Sequence, residues 1–61
     1  MNTSVAVEAK RILLRYGAPI VVLERVSEDD RIRIARVIAK TELAEREGKV
    51  RELLAKYGYL K

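Results

Sequence analysis

Two groups of side chains stand out by type and spacing. Glu28, Asp29 and Asp30 are three consecutive carboxylates, and Arg33, Arg36 and Lys40 follow them at intervals of three and four. Clustered carboxylates can hold a divalent cation, and a row of cations on one helix face can meet phosphates. The metal reading fails on geometry. Consecutive residues of a helix diverge by about 100° each, so the triplet does not converge on one ion, and no metal site is expected. Placed directly after Ser27, the same triplet reads as a helix start. Ser27 caps the free backbone N–H groups, Asp30 takes the capping-box position, and the negative charges complement the positive end of the helix dipole. The cationic row stays open between a solvated face and a phosphate-facing one.

What the chain lacks narrows the chemistry further. It has 61 residues with no His, Cys or Trp, so imidazole-dependent triads, thiol mechanisms, disulfides and Cys/His zinc sites are all excluded. Lys, Tyr, Ser, Thr and carboxylates remain, without a convergent constellation, and neither catalytic residues nor a cofactor are expected. Charged residues make up 36% of the chain, Gln is absent, and Asn and Met occur once each, at Asn2 and Met1, a profile that leans towards a thermophilic source. The longest uncharged run, Tyr16 to Leu23, is far shorter than the roughly 20 residues needed to span a bilayer. A cytoplasmic protein with no membrane partner is the expectation.

The elements that must position these residues are mainly α-helical. Val5, Ala9, Ile12, Leu13 and Tyr16 share one helical face, with Thr3 or Ser4 as cap and Gly17 and Pro19 as terminators, which predicts a helix over about 4–16. Residues 20–26, Ile-Val-Val-Leu-Glu-Arg-Val, are rich in β-branched types and predict a short extended or β segment. A lone strand cannot satisfy its own backbone, so its partner would be another copy of the chain. From Glu28 to Tyr57 the pattern fits either one long helix running through Gly48 or two helices broken there. Gly58 then terminates the last helix, and Tyr59 or Leu60 can fold back onto Leu54. Leu13-Leu14-Arg15-Tyr16-Gly17 is echoed by Leu53-Leu54-Ala55-Lys56-Tyr57-Gly58, two helix ends built from a cation, a Tyr and a Gly.

One small domain over 1–61 is expected, and a chain of this size buries only roughly 60% of its unfolded surface, so outside help with stability is expected too. Self-association through Ile20, Val21, Val22 and Leu23 and through Ile34 and Ile38 on the broad apolar arc of the next helix would supply it, as a homodimer or higher oligomer.

Charge is unevenly distributed. Residues 1–26 hold four cations and two anions, residues 27–48 five and six, and residues 49–61 four and one, giving +2, −1 and +3 within a net +4. Basic ends imply an anionic partner, nucleic acid or an acidic protein.

Residues 41–57 resemble a helix-turn-helix: Ala44 precedes Gly48 by four, and Leu54 and Tyr57 follow it by six and nine. Glu47 and Val50 depart from the pattern. The resemblance implies a turn at Gly48 and a DNA groove lined by Lys49, Arg51, Glu52, Ala55 and Lys56. A weaker likeness is to the omega and archaeal subunit K family of RNA polymerase, carried by Ala9-Lys10-Arg11, Gly17-Ala18-Pro19, Ile38-Ala39, Glu42-Leu43 and Gly48. It implies a small assembly subunit, although the blocks are spaced more widely here and the family's Pro-containing stretch after the last Gly is missing. The function expected is self-association with nucleic-acid binding through phosphate contacts from Arg33, Arg36, Lys40, Lys49, Arg51 and Lys56, in a transcription-related or DNA-packaging role. The alternative is a non-enzymatic assembly or structural subunit with a protein partner.

Overall fold

The apolar stripe through Ala9, Ile12 and Leu13 forms α1, Asn2–Arg15, in a computed structural model that describes residues 2–60 apart from the side chains at positions 2–4 and 6. The capping role expected of Thr3 or Ser4 concerns side chains outside the described residues. The chain continues as α2, Ile20–Arg25, α3, Glu28–Ala39, a short 3-10 turn, Leu43–Glu45, and α4, Arg46–Lys56.

Residues Ile20–Arg25 are helical and only the capping Val26 is extended, which corrects the expectation of an extended or β segment over 20–26. Pro19 sets the entry, with φ −65° fixed by its ring, and its carbonyl accepts from Leu23 N–H at 3.0 Å. Val22, Leu23 and Val26 then turn into the core, whereas Ile20 and Val21 stay 54% and 67% exposed. Adjacent buried positions followed by a third four residues on mark a helical face. A strand would have buried alternate residues and left its backbone unpaired. Tertiary burial and backbone satisfaction here outweigh β-propensity, which carries at most about 1 kcal/mol per residue. The Arg31 guanidinium completes the short helix by donating to Leu23 O at 2.8 Å.

Ser27 caps α3 as its position predicts: its hydroxyl accepts from Asp30 N–H at 3.2 Å, with Glu28, Asp29 and Asp30 in the first turn. The reciprocal arm of the box runs through a distant residue. The Tyr59 hydroxyl donates to Asp30 Oδ2 at 2.6 Å and accepts a long bond from Ser27 N–H at 3.4 Å.

Neither version of the long C-terminal helix holds in detail. The chain does form two helices after Glu28, but the break lies at residues 40–42, and α4 runs straight through Gly48. The turn that the helix-turn-helix resemblance requires at Gly48 is therefore absent. Thr41 supplies the physical reason for the earlier break. Its hydroxyl donates to Val37 O at 2.7 Å, its N–H bonds Ile38 O at 3.0 Å, and its own carbonyl accepts from Arg46 Nε at 2.9 Å. Side-chain bonding of this kind competes with helix propagation, and Glu42 follows in extended geometry.

Both outer helix ends close in the same way. Gly17, at φ 95°, donates to Leu14 O while Ala18 N–H reaches Leu13 O at 3.0 Å. Gly58, at φ 88°, donates to Ala55 O while Tyr59 N–H reaches Leu54 O at 2.8 Å. Aligned on the glycines, the echoed segments match Leu13 with Leu54, Arg15 with Lys56 and Tyr16 with Tyr57. One left-handed cap is thus used twice, with residue 18 or 59 folding back over the Leu that begins it.

The core gathers these pieces. α1 packs chiefly on α3, and α4 packs on α3 as well. Leu13, Leu23, Ile34, Ile38, Val50 and Leu54 are fully buried, each contributing about 1.5–3 kcal/mol relative to exposure. Tyr16, Tyr59 and Leu60 cover the edges, as expected for the residues after Gly58.

Candidate nucleic-acid interface

α3 carries its cations on the side away from the core. Ile34, Ala35 and Ile38 are buried, and Arg33, Arg36 and Lys40 are exposed, within about 60° of one another around the helix. Arg33 NH1 lies 3.8 Å from Asp30 Oδ1, a long contact from an exposed arginine to a half-buried carboxylate, and is worth little. Arg36 and Lys40 have no salt bridge among the described residues.

The cations of α4 do not extend this row as one surface. Lys49 and Lys56 are seven apart and share a flank, but Arg51 lies roughly 140–160° away from them around the helix, on the opposite flank. Lys49 is also engaged, with Nζ 3.4 Å from Glu52 Oε2. The six expected contacts therefore divide into a compact row on α3 and two separate flanks of α4.

The proposed self-association residues divide as well. Ile20 and Val21 are exposed, but Val22, Leu23, Ile34 and Ile38 fill this chain's own core. Those four are withdrawn from any contact with a second copy, because the helical turn of segment 20–26 hides one half of the apolar run and the α1–α3–α4 packing hides the arc of α3.

Two arginines outside the expected set serve as internal clamps. Arg31 holds the end of α2, its Nε buried with no hydrogen-bond partner among the described residues. Arg46 ties three segments together: besides Thr41 O, its NH1 donates to the Tyr16 hydroxyl at 2.8 Å, and its guanidinium carbon lies 5.3 Å from the centre of the Tyr16 ring. Both were detectable from helical spacing. Arg31 precedes buried Ile34, Ala35 and Ile38 by three, four and seven, and Arg46 precedes Val50, Leu53 and Leu54 by four, seven and eight. Each sits on an apolar stripe rather than a polar one.

No family model, curated protein or solved structure matches this chain. Neither the helix-turn-helix resemblance nor the likeness to RNA polymerase subunits gains support from that side. What the chain does has to be read from its surface. Asp30 is committed to Tyr59 and Ser27, and Glu28 and Asp29 are exposed in the first turn of α3. Among the described residues no three acidic side chains gather as a metal would require, and no helix is long and apolar enough to cross a membrane. Besides the cationic row, the surface offers a shallow apolar depression of about 220 Å3 between α1 and α3, with Val5, Ala9 and Ile12 on one wall and Ile32, Ala35 and Ala39 on the other.

Proposed function

We propose that this chain is a non-enzymatic, cytoplasmic nucleic-acid-binding protein that contacts phosphates through Arg33, Arg36 and Lys40. One observation carries the reading: three cations occupy the solvent side of a single helix, spaced over roughly 10 Å along its axis, on a face that the core does not use. Lys49 and Lys56 add a second, weaker cationic flank, and Arg51 faces elsewhere. Contacts of this kind favour the phosphate backbone of any sequence and carry no base readout. Titration of duplex DNA at several salt concentrations tests it. Three phosphate contacts give a slope of about −2.7 in log affinity against log salt, or about a fortyfold loss between 50 and 200 mM. No binding at about 50 mM salt removes the proposal.

A second reading, an assembly or structural subunit, is favoured by the α1–α3 depression and by the exposure of Ile20, Val21 and Leu43, the last at 70%. It predicts association with no salt-dependent affinity for nucleic acid.

A further inference from the structure

We infer that the α1–α3 depression is the seam of a two-fold dimer, its occupant a second copy of this chain. Ala9 and Ala35 are buried and form its floor, Ala39 is exposed and small enough to let a helix approach closely, and Val5, 49% exposed, stands at the rim. The walls carry opposite charges: Glu8 belongs to the α1 wall and Arg36 to the α3 wall. Neither makes a salt bridge among the described residues.

That arrangement is self-complementary. A two-fold axis makes contacts reciprocal, so when α1 of one copy lies against α3 of the other, Glu8 of each meets Arg36 of its mate. One favourable pair is formed twice. An acidic helix in the same place would set carboxylates against Glu8, and a phosphate backbone would be repelled by Glu8 and gain nothing from covering Val5 and Ala39. A standard interface takes about 800 Å2 from each partner, under a fifth of this chain's surface of 4462 Å2. The seam shares Arg36 with the proposed phosphate row and leaves Arg33 and Lys40 outside it.

Sedimentation equilibrium over about 5 µM to 1 mM reads the proposal directly. The wild-type chain passes from monomer to dimer within that range. Glu8→Arg and Arg36→Glu each raise the dissociation constant at least about tenfold, because each places two like-charge pairs in the seam, and the double exchange restores dimerisation. Both positions are exposed, so the variants keep the helical circular dichroism of the wild type in dilute solution. A wild-type chain that stays monomeric to 1 mM overturns the proposal, whatever else occupies the depression. So do single variants that dimerise unchanged, or a double exchange that fails to recover. Glu8→Arg leaves the α3 cations in place, so loss of dimer with retained DNA affinity separates this seam from the phosphate reading.

Discussion

Alanine at each of the three glycines separates two roles that glycine plays in this chain. An added Cβ would meet nothing within 4 Å at Gly17, Gly48 or Gly58, so packing drops out and the backbone alone sets the outcome. At φ 95° and 88°, Gly17 and Gly58 hold left-handed geometry, which costs an L-residue about 1–2 kcal/mol. Restricting the unfolded chain returns about 0.4–1 kcal/mol, leaving a net loss of about 1 kcal/mol at each cap. Gly48 lies inside α4, where Ala is the better residue by about 0.8–1 kcal/mol. Gly48→Ala is therefore expected to raise stability by close to 1 kcal/mol while Gly17→Ala and Gly58→Ala lower it by a similar amount. For a chain this small 1 kcal/mol moves the melting temperature by roughly 4–8 °C, so thermal melts followed by far-ultraviolet circular dichroism resolve the two signs. A destabilised Gly48→Ala would place a left-handed turn at that residue. It would refute the continuous α4 and bring back the turn implied by the helix-turn-helix resemblance.

The Arg46 clamp predicts coupling: Arg46→Ala and Tyr16→Phe each destabilise, by about 2 and 1 kcal/mol, and a double-mutant cycle gives about 1 kcal/mol of interaction. Additive losses would mean that the 2.8 Å bond contributes nothing. Tyr59→Phe removes a 2.6 Å donor to Asp30 and is expected to cost about 1–2 kcal/mol, and in an Asp30→Ala background, where no acceptor is left, most of that cost disappears. Replacing Arg33, Arg36 and Lys40 together by Gln leaves the melt within about 0.5 kcal/mol of wild type, since all three are exposed, and flattens the salt dependence of DNA binding by about 2.7. An unchanged slope would locate binding elsewhere.

The caps were legible because they are local. Ser27 three residues before Asp30, Gly17 two before Pro19, and the repeated Tyr-Gly each announce a helix end from a few neighbouring residues. Segment 20–26 was misread because its residue types and its burial pattern disagree. Val and Ile favour a strand in isolation, but only a helix gives Val22, Leu23 and Val26 one common side and lets the six residues of α2 bond among themselves. The break after Ala39 was hidden for the opposite reason. It depends on Thr41 being held from both sides, by Val37 within α3 and by Arg46 beyond the turn, and no glycine or proline marks it. The expected contact set suffered from the same hidden geometry: Arg51 belongs with Lys49 and Lys56 in sequence but not around the helix.

Charge counting misjudged the surface because it treats every arginine as solvent-facing. Arg31 and Arg46 both lie in residues 27–48, where six anions already outnumber five cations, and both are turned inward onto carbonyl oxygens. The exposed part of that segment is therefore more acidic than its formal balance of −1 suggests. Its three outward cations stand between Glu28 and Asp29 at one end of α3 and Glu42, Glu45 and Glu47 beyond the other. An approaching phosphate backbone meets attraction only over the middle and C-terminal part of α3, which limits the contact to the reach of Arg33, Arg36 and Lys40. A duplex cannot engage these three, Lys49, Lys56 and Arg51 together, because Arg51 faces the other way. The salt slope should accordingly lie between about −2.7, for the α3 row alone, and about −4.5, with Lys49 and Lys56 added, short of the roughly −5.4 that six contacts would give. A slope near the largest figure would mean that the cations converge on one face, against the division of α4 described above.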